Sequence, residues 1–266
     1  MNHGETTGGL ISQGVYSLTN SFGTPVVDDF TREQQINSLF AQASLSYQGW
    51  LTATVLIVGQ ATLALPDPTN SYFYYGTSGS FIFSDLMDID WMDLGKLRFG
   101  YTQVGNDTDP YRAQTTYAYD VDGTFRSAPR LLIPNDLSNP NLKPEITTTT
   151  EGGLDFALFN NRLNLNATYF NKATTNQIIP LEMSKATGYQ TKIVNAGKLT
   201  SKGLELSLGV VPVRTENWNW KVNFNYTRTK MMVNDLVEGV EAIDLIRAPF
   251  GGVFLRASEG DEYGHL

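Results

Sequence analysis

Strict alternation of apolar and polar residues runs through this chain and dictates extended structure. In Leu163-Asn164-Leu165-Asn166-Ala167-Thr168-Tyr169 and in Trp218-Asn219-Trp220-Lys221-Val222-Asn223-Phe224-Asn225-Tyr226, every second side chain is apolar. Residues 39–47 and 96–102 repeat the pattern. Successive side chains of a strand point to opposite faces, so a period of two makes one apolar face and one polar face; a helix would need a period of 3.6. The alternation predicts eight main strands, at about residues 36–48, 50–58, 72–84, 95–104, 147–159, 162–172, 200–211 and 217–230. The fold class that follows is all-β, an antiparallel up-and-down meander of about eight long strands. Several strands reach the roughly nine to eleven residues that a tilted strand needs to cross a bilayer, against about five or six in a soluble sheet.

The connections sort by length. Short links at Gly49, 85–94, Asn160-Asn161 and 212–216 alternate with long ones at 59–71, 105–146, 173–199 and from 231 onward. The Asn pair tolerates the positive φ of a primed hairpin turn. Short turns at one end and long loops at the other are the layout of an outer-membrane barrel, whose apolar face meets lipid and whose polar face lines an aqueous lumen. Trp50, Trp218, Trp220, Tyr47 and Tyr226 fall near strand ends, where an interfacial girdle belongs. The same alternation also fits an antiparallel sheet with one face on a soluble core.

Composition narrows the functions. The 266 residues carry a net charge of −8, which disfavours a nucleic-acid binder. There is no Cys, and the two histidines, His3 and His265, lie at the chain ends. Disulfides, thiolate metal sites and Cys nucleophiles are thereby excluded, and a His-based zinc site or a Ser-His-Asp triad is disfavoured. Charged residues make up 17% and aromatics 12%, the polar, aromatic-rich balance of a β protein. The most apolar run, Val55-Leu56-Ile57-Val58, meets Gly59-Gln60 at once, so no transmembrane helix is expected. The first residues have neither the basic nor the apolar region of a signal peptide.

No catalytic motif stands out, so no enzyme activity, cofactor or metal is expected. Asn106-Asp107-Thr108-Asp109 lacks the Gly and distal Glu of a calcium loop, and Gly76-Thr77-Ser78-Gly79 lacks the Lys-Ser of a phosphate loop. Asp85, Asp88, Asp90 and Asp93 read as a solvated turn, with Trp91 and Met92 available as an interfacial anchor.

Other strings carry a family resemblance. Asn139-Pro140-Asn141-Leu142-Lys143-Pro144-Glu145 resembles the Asn-Pro-x-Leu-Lys-Pro-Glu element of TonB-dependent outer-membrane transporters. Asn195-Ala196-Gly197 with Ser201-Lys202-Gly203-Leu204-Glu205-Leu206 resembles their Asn-x-Gly and Lys-Gly-Val-Glu-Leu element. Residues 103–111, 71–81 and Ala186-Thr187-Gly188-Tyr189 are similar to the SusC/RagA branch, importers of glycans and peptides in Bacteroidota. Physically, Pro144 biases Lys143 toward extended backbone and delivers the chain into a strand, and Gly203 suits a bulge or bend at a strand entrance. The segment from Val55 to Leu65 departs from the branch's pattern; a local slip of reading frame or divergence would each account for it.

The resemblance implies that residues 1–266 are an interior part of a 22-stranded transmembrane barrel, with plug, TonB box and signal peptide absent from this stretch. It implies uptake of an oligosaccharide or peptide nutrient across the outer membrane of a Gram-negative bacterium, a SusD-like surface lipoprotein lid, and the TonB complex acting through the missing plug. Eight strands of a larger sheet leave two unpaired edges, which lipid does not tolerate, so the stretch is not expected to transport alone. In loop 105–146, Tyr111, Arg112, Tyr117, Tyr119 and Arg126 are the candidate contacts to substrate or lid, aromatics for stacking on sugar faces and Arg for a planar hydrogen-bonding fork. Two other functions stay open on pattern alone: a small self-contained eight-stranded barrel with a structural or adhesive role, and a soluble glycan-binding β-sandwich.

Overall fold

The computed structural model describes residues 2–5, 8–23, 25–29, 32–125, 128–237, 239–247 and 253–264. Residues 1–34 form one compact unit and 35–266 another. In the first, Asn2–Glu5 pairs antiparallel with Val26–Asp29, and the 3-10 turn Leu18–Asn20 is capped by the Ser17 hydroxyl.

The second unit is organised by one eight-stranded sheet. Its strands are β1 (Ile36–Tyr47), β2 (Leu51–Thr62), β3 (Ser71–Ile82), β4 (Met92–Asn106), β5 (Glu145–Leu158), β6 (Leu163–Thr175), β7 (Lys198–Arg214) and β8 (Asn219–Asp235). Neighbours in sequence are neighbours in the sheet, and every pairing is antiparallel. All eight expected strands are present, most of them longer than the alternation alone indicated. The expected long link at 59–71 shrinks to 63–70, because β2 keeps its pairing through Thr62.

β1 and β8 are the two edges, and among the described residues no ladder joins them. The sheet is therefore open, which removes the self-contained eight-stranded barrel. Among the described residues nothing covers its apolar face at Leu39, Leu45, Phe73, Phe99 and Phe224, which stay exposed; that removes the soluble sandwich. Residues 260–263 run along the free edge of β8, with Tyr263 N–H donating to Met231 C=O (2.9 Å) and Val233 N–H to Asp261 C=O (2.9 Å).

Register assembles the apolar face across all eight strands. Leu45 lies opposite Ala53, Ile57 opposite Tyr75, Phe81 opposite Leu97, Leu154 opposite Ala167, and Leu206 opposite both Ala167 and Tyr226. The upper limit of this band steps down across the sheet, as tilted strands require. On the loop side of Tyr101, Tyr169 and Tyr226 the same face turns polar at Gln103, Asn171 and Arg228. Tyr226 is therefore mid-strand, not near a strand end as expected; β8 simply continues nine residues past it to Asp235.

At the short-turn end, rings touch in sequence: Tyr47 and Trp50 (5.5 Å), Trp50 and Phe81 (5.6 Å), Phe81 and Phe83 (6.4 Å), Phe83 and Phe156 (5.9 Å). Trp91 stacks on Phe159 (6.1 Å), and the Asp93 carboxylate accepts from Asn161 N–H (2.9 Å). Left-handed backbone extends over Phe159, Asn160 and Asn161, one residue more than the Asn pair suggested.

The opposite face is polar and charged. Arg98 forms a fork to Asp155 (2.9 and 3.1 Å) and also reaches the Thr168 hydroxyl (3.2 Å), while the Asn166 amide donates to the same carboxylate. The segment from Val55 holds its register with both neighbours through Ala61. Its departure from the family pattern shows as an apolar patch on this otherwise polar face, where Val58 lies between Phe40 and Tyr74.

Gly203 is not at a bulge; the register of β7 shifts at Lys198/Leu199 and again at Val210/Val213. The Phe170 ring lies over it, and an added Cβ would stand 2.4 Å from that ring and 3.0 Å from the Arg228 carbonyl. Gly203→Val is expected to destabilise the protein by about 1–3 kcal/mol through overpacking. Adding Phe170→Ala recovers part of that loss in the denaturation midpoint.

Candidate functional site

The long loops gather at one end of the polar face, around a small apolar cluster. Leu142 is fully buried and packs with Leu65, Tyr72, Ala113 and Ile193, with Tyr74 and Ile178 alongside. Ala113 and Leu142 come from loop 107–144, Ile178 and Ile193 from loop 176–197, Leu65 from link 63–70 and the two tyrosines from β3, so the cluster ties the loops to the sheet. Short strands give the loops their own order. Ala118–Phe125 pairs with Ala128–Leu132, and Ile178–Glu182 pairs with Thr191–Asn195, which also runs parallel to Asp136–Leu137. None of these segments alternates cleanly enough to be read as a strand from the sequence.

The two strings that carried the resemblance turn out to be bonded to each other. Asn195 Oδ1 accepts from Lys143 N–H (2.8 Å), and its Nδ2 donates to Lys143 C=O (2.8 Å) and Asn176 C=O (2.9 Å). Both amide donors and the carbonyl oxygen of this side chain are thus engaged, three of its four hydrogen-bonding positions. Asn139 Oδ1 accepts from Asn141 N–H and sets the turn that carries Leu142 inward. The Leu142 carbonyl accepts from the Thr69 hydroxyl (2.5 Å). Glu145 closes the joint: its two carboxylate oxygens accept from Ile178 N–H (2.7 Å) and the Asn106 amide (3.1 Å). Gly197 has φ +84°, and a Cβ there would press on the Asp235 carbonyl at 2.9 Å, so the position suits glycine alone. Asn195→Ala strands three backbone groups and is expected to cost about 1–3 kcal/mol. Limited proteolysis in loop 107–144 should quicken; Asn195→Asp, which keeps only the acceptor, should fall between the two.

The candidate contact residues divide. Tyr111 sits exposed at a left-handed corner (φ 69°) beside Arg112, whose guanidinium pairs with Asp109 (2.7 Å) and whose carbonyl accepts from Asn139 N–H (3.2 Å). The corner is thus fixed to the Asn139 turn, with Ala113 anchored in the cluster. Tyr117 is exposed just before the hairpin. Tyr119 lies within it, its backbone opposite Leu131, and Arg126 lies outside the described residues. Asn195, Thr69 and Glu145 were missed as a unit, because nothing in the sequence connects positions 69, 145 and 195. The aspartates near the corner are likewise occupied, Asp109 by Arg112 and Asp107 by the Thr62 hydroxyl (2.5 Å), and no group of three or more metal-binding side chains occurs among the described residues.

Comparison with known proteins agrees with this architecture. The profile of the family described as TonB dependent receptor-like, beta-barrel matches residues 4–250. The chain is 30% identical over 223 residues to TonB-dependent receptor P26 of Formosa agariphila, covering 80% of this chain and 22% of that protein. It is 27% identical over 164 residues to TonB-dependent receptor SusC of Bacteroides thetaiotaomicron, covering 58% of this chain and 16% of SusC. In fold it is similar to a chain of the RagAB peptide transporter, with a TM-score of 0.79 and 21% identity over 96% of this chain and 27% of that one. The chain thus spans about a fifth of the length of these curated relatives. An open meander of long strands, apolar on one face and polar on the other, is what a segment of such a barrel requires, and the chain belongs to the TonB-dependent receptor β-barrel family.

Proposed function

We propose that this chain forms part of the wall of a SusC/RagA-type importer that takes up an oligosaccharide or a peptide across the outer membrane. The two-faced sheet carries the reading. Its apolar surface is unbroken across eight strands, whereas the other face holds the Arg98–Asp155 network, which needs an aqueous lumen. Membership of a transporter family and the absence of any catalytic motif point to uptake and not to chemistry.

In this reading residues 1–266 are a portion of a larger barrel, and the plug, TonB box and signal peptide lie outside this stretch. Loops 107–144 and 176–197 face the outside, where a SusD-like lipoprotein closes over them, and TonB drives release through the plug. Tyr111, Tyr117 and Tyr119 offer stacking surfaces, and Arg112 and Arg126 offer forks to hydroxyl or carboxylate groups. Arg112 is already held by Asp109, so a ligand there must compete with that carboxylate.

The test is accumulation of labelled oligosaccharides and labelled peptides by cells with and without the gene. Uptake of one class should depend on the gene and stop on collapse of the proton-motive force. Gene-dependent uptake that survives an uncoupler would contradict the proposal.

A further inference from the structure

On the outward face of the sheet the charged side chains gather at the loop end of β7 and β8: Lys202, Arg228 and Lys230, and beyond them Lys198, which lies opposite Asp235 past the register shift. Lys202 stands on the loop side of Leu204 in β7, and Arg228 and Lys230 on the loop side of Tyr226 in β8, each on the outward face by its register. Measured along each strand at about 3.3 Å per residue, Lys202 lies some 7 Å past Leu204, and Arg228 and Lys230 about 7 and 13 Å past Tyr226. That is headgroup depth on the long-loop side. The inward face, by contrast, mixes signs.

Lys202 lies directly opposite Lys230, an arrangement that destabilises a sheet unless something answers the charge. One carboxylate does so in part: Glu262 meets the Lys230 ammonium at 2.7 Å. That hydrogen bond and charge, with Arg228 nearby, hold the Glu262 carboxyl below its usual range. Lys202 has no ion pair among the described residues. A cleft of about 410 Å³ opens between the two lysines, with Thr200, Met232 and Asn234 on its walls. A positively charged cleft directly above an apolar strip, in a chain of net charge −8, matches an amphiphile with an anionic head.

We propose that Lys202, Arg228 and Lys230 bind the phosphate of a lipid headgroup in the leaflet on the long-loop side, with the acyl chains lying along Leu204, Leu206 and Tyr226. The inference rests on the membrane reading above. The long-loop leaflet is the one whose headgroups reach this height, and the apolar strip below the cleft selects a lipid over free phosphate.

The experiment inserts the whole barrel protein that contains this stretch into phosphatidylcholine bilayers containing phosphorylated lipid A or its dephosphorylated form, and counts retained lipid by native mass spectrometry. Phosphorylated lipid should be retained over the dephosphorylated form. The triple variant Lys202→Gln, Arg228→Gln, Lys230→Gln should bind it more weakly by on the order of 150-fold, from the loss of three charges near the surface. Lys172→Gln, on the inward face, should change nothing. Three results would each overturn the proposal: equal retention of the two lipids, an unchanged triple variant that still inserts, and displacement of the lipid by inorganic phosphate at matched concentration. Failure of the unaltered protein to insert would count against the membrane reading itself, which separates the two failures.

Discussion

Phe224→Arg is expected to destabilise the membrane-inserted protein by about 2–4 kcal/mol, the cost of a basic side chain near the middle of a barrel's lipid face. Thr227→Arg, three residues further along the same strand, should cost close to nothing. Phe224 lies opposite Leu208 within the apolar band, whereas Thr227 lies opposite Glu205 on the polar face. The same charge is thus placed on one strand with two different surroundings. Urea unfolding in lipid vesicles reads the difference. Equal costs at the two positions would mean that the faces do not see different solvents.

Leu142→Ala carries the second large effect, a loss of about 2–5 kcal/mol from a fully buried leucine. Its consequences should be local. Leu142 anchors the loop joint, while the sheet is held by its own ladders, so the loops and the strands open separately. Hydrogen exchange should quicken through 107–144 and 176–195 and stay unchanged in β5 and β6. Faster exchange in the strands as well would show that the loop cluster supports the whole sheet. Unchanged exchange in the loops would show that it supports neither.

The meander was legible because its faces see different surroundings over long stretches. Residues 163–169 and 218–226 alternate without interruption, and the structure places them in β6 and at the start of β8. Strand ends were less legible. β8 runs on through Thr227, Arg228, Thr229 and Lys230, where both faces are polar and no contrast remains. The same extension moved Tyr226 from an expected strand end to mid-strand. Gly203 carried an ambiguous signal, since a glycine within a strand marks either a bulge or a close approach. The choice depended on Phe170, two strands' worth of sequence away, which sits opposite it. At the loop joint, the strings 139–145 and 195–197 were visible one at a time. Their union joins the Asn195 side-chain amide to the Lys143 main chain, and a main-chain partner leaves no residue pattern to read.

The most direct test of the central claim, that one face of the sheet meets lipid and the other water, uses the absence of cysteine from the chain. Single cysteines placed one at a time from Asn164 to Tyr169 in β6, a strand flanked on both sides, can be titrated in intact membranes with a water-soluble maleimide. Asn164, Asn166 and Thr168 should label, and Leu165, Ala167 and Tyr169 should be protected, a period of two along the strand. Uniform labelling, or protection of the asparagine positions, would contradict the account.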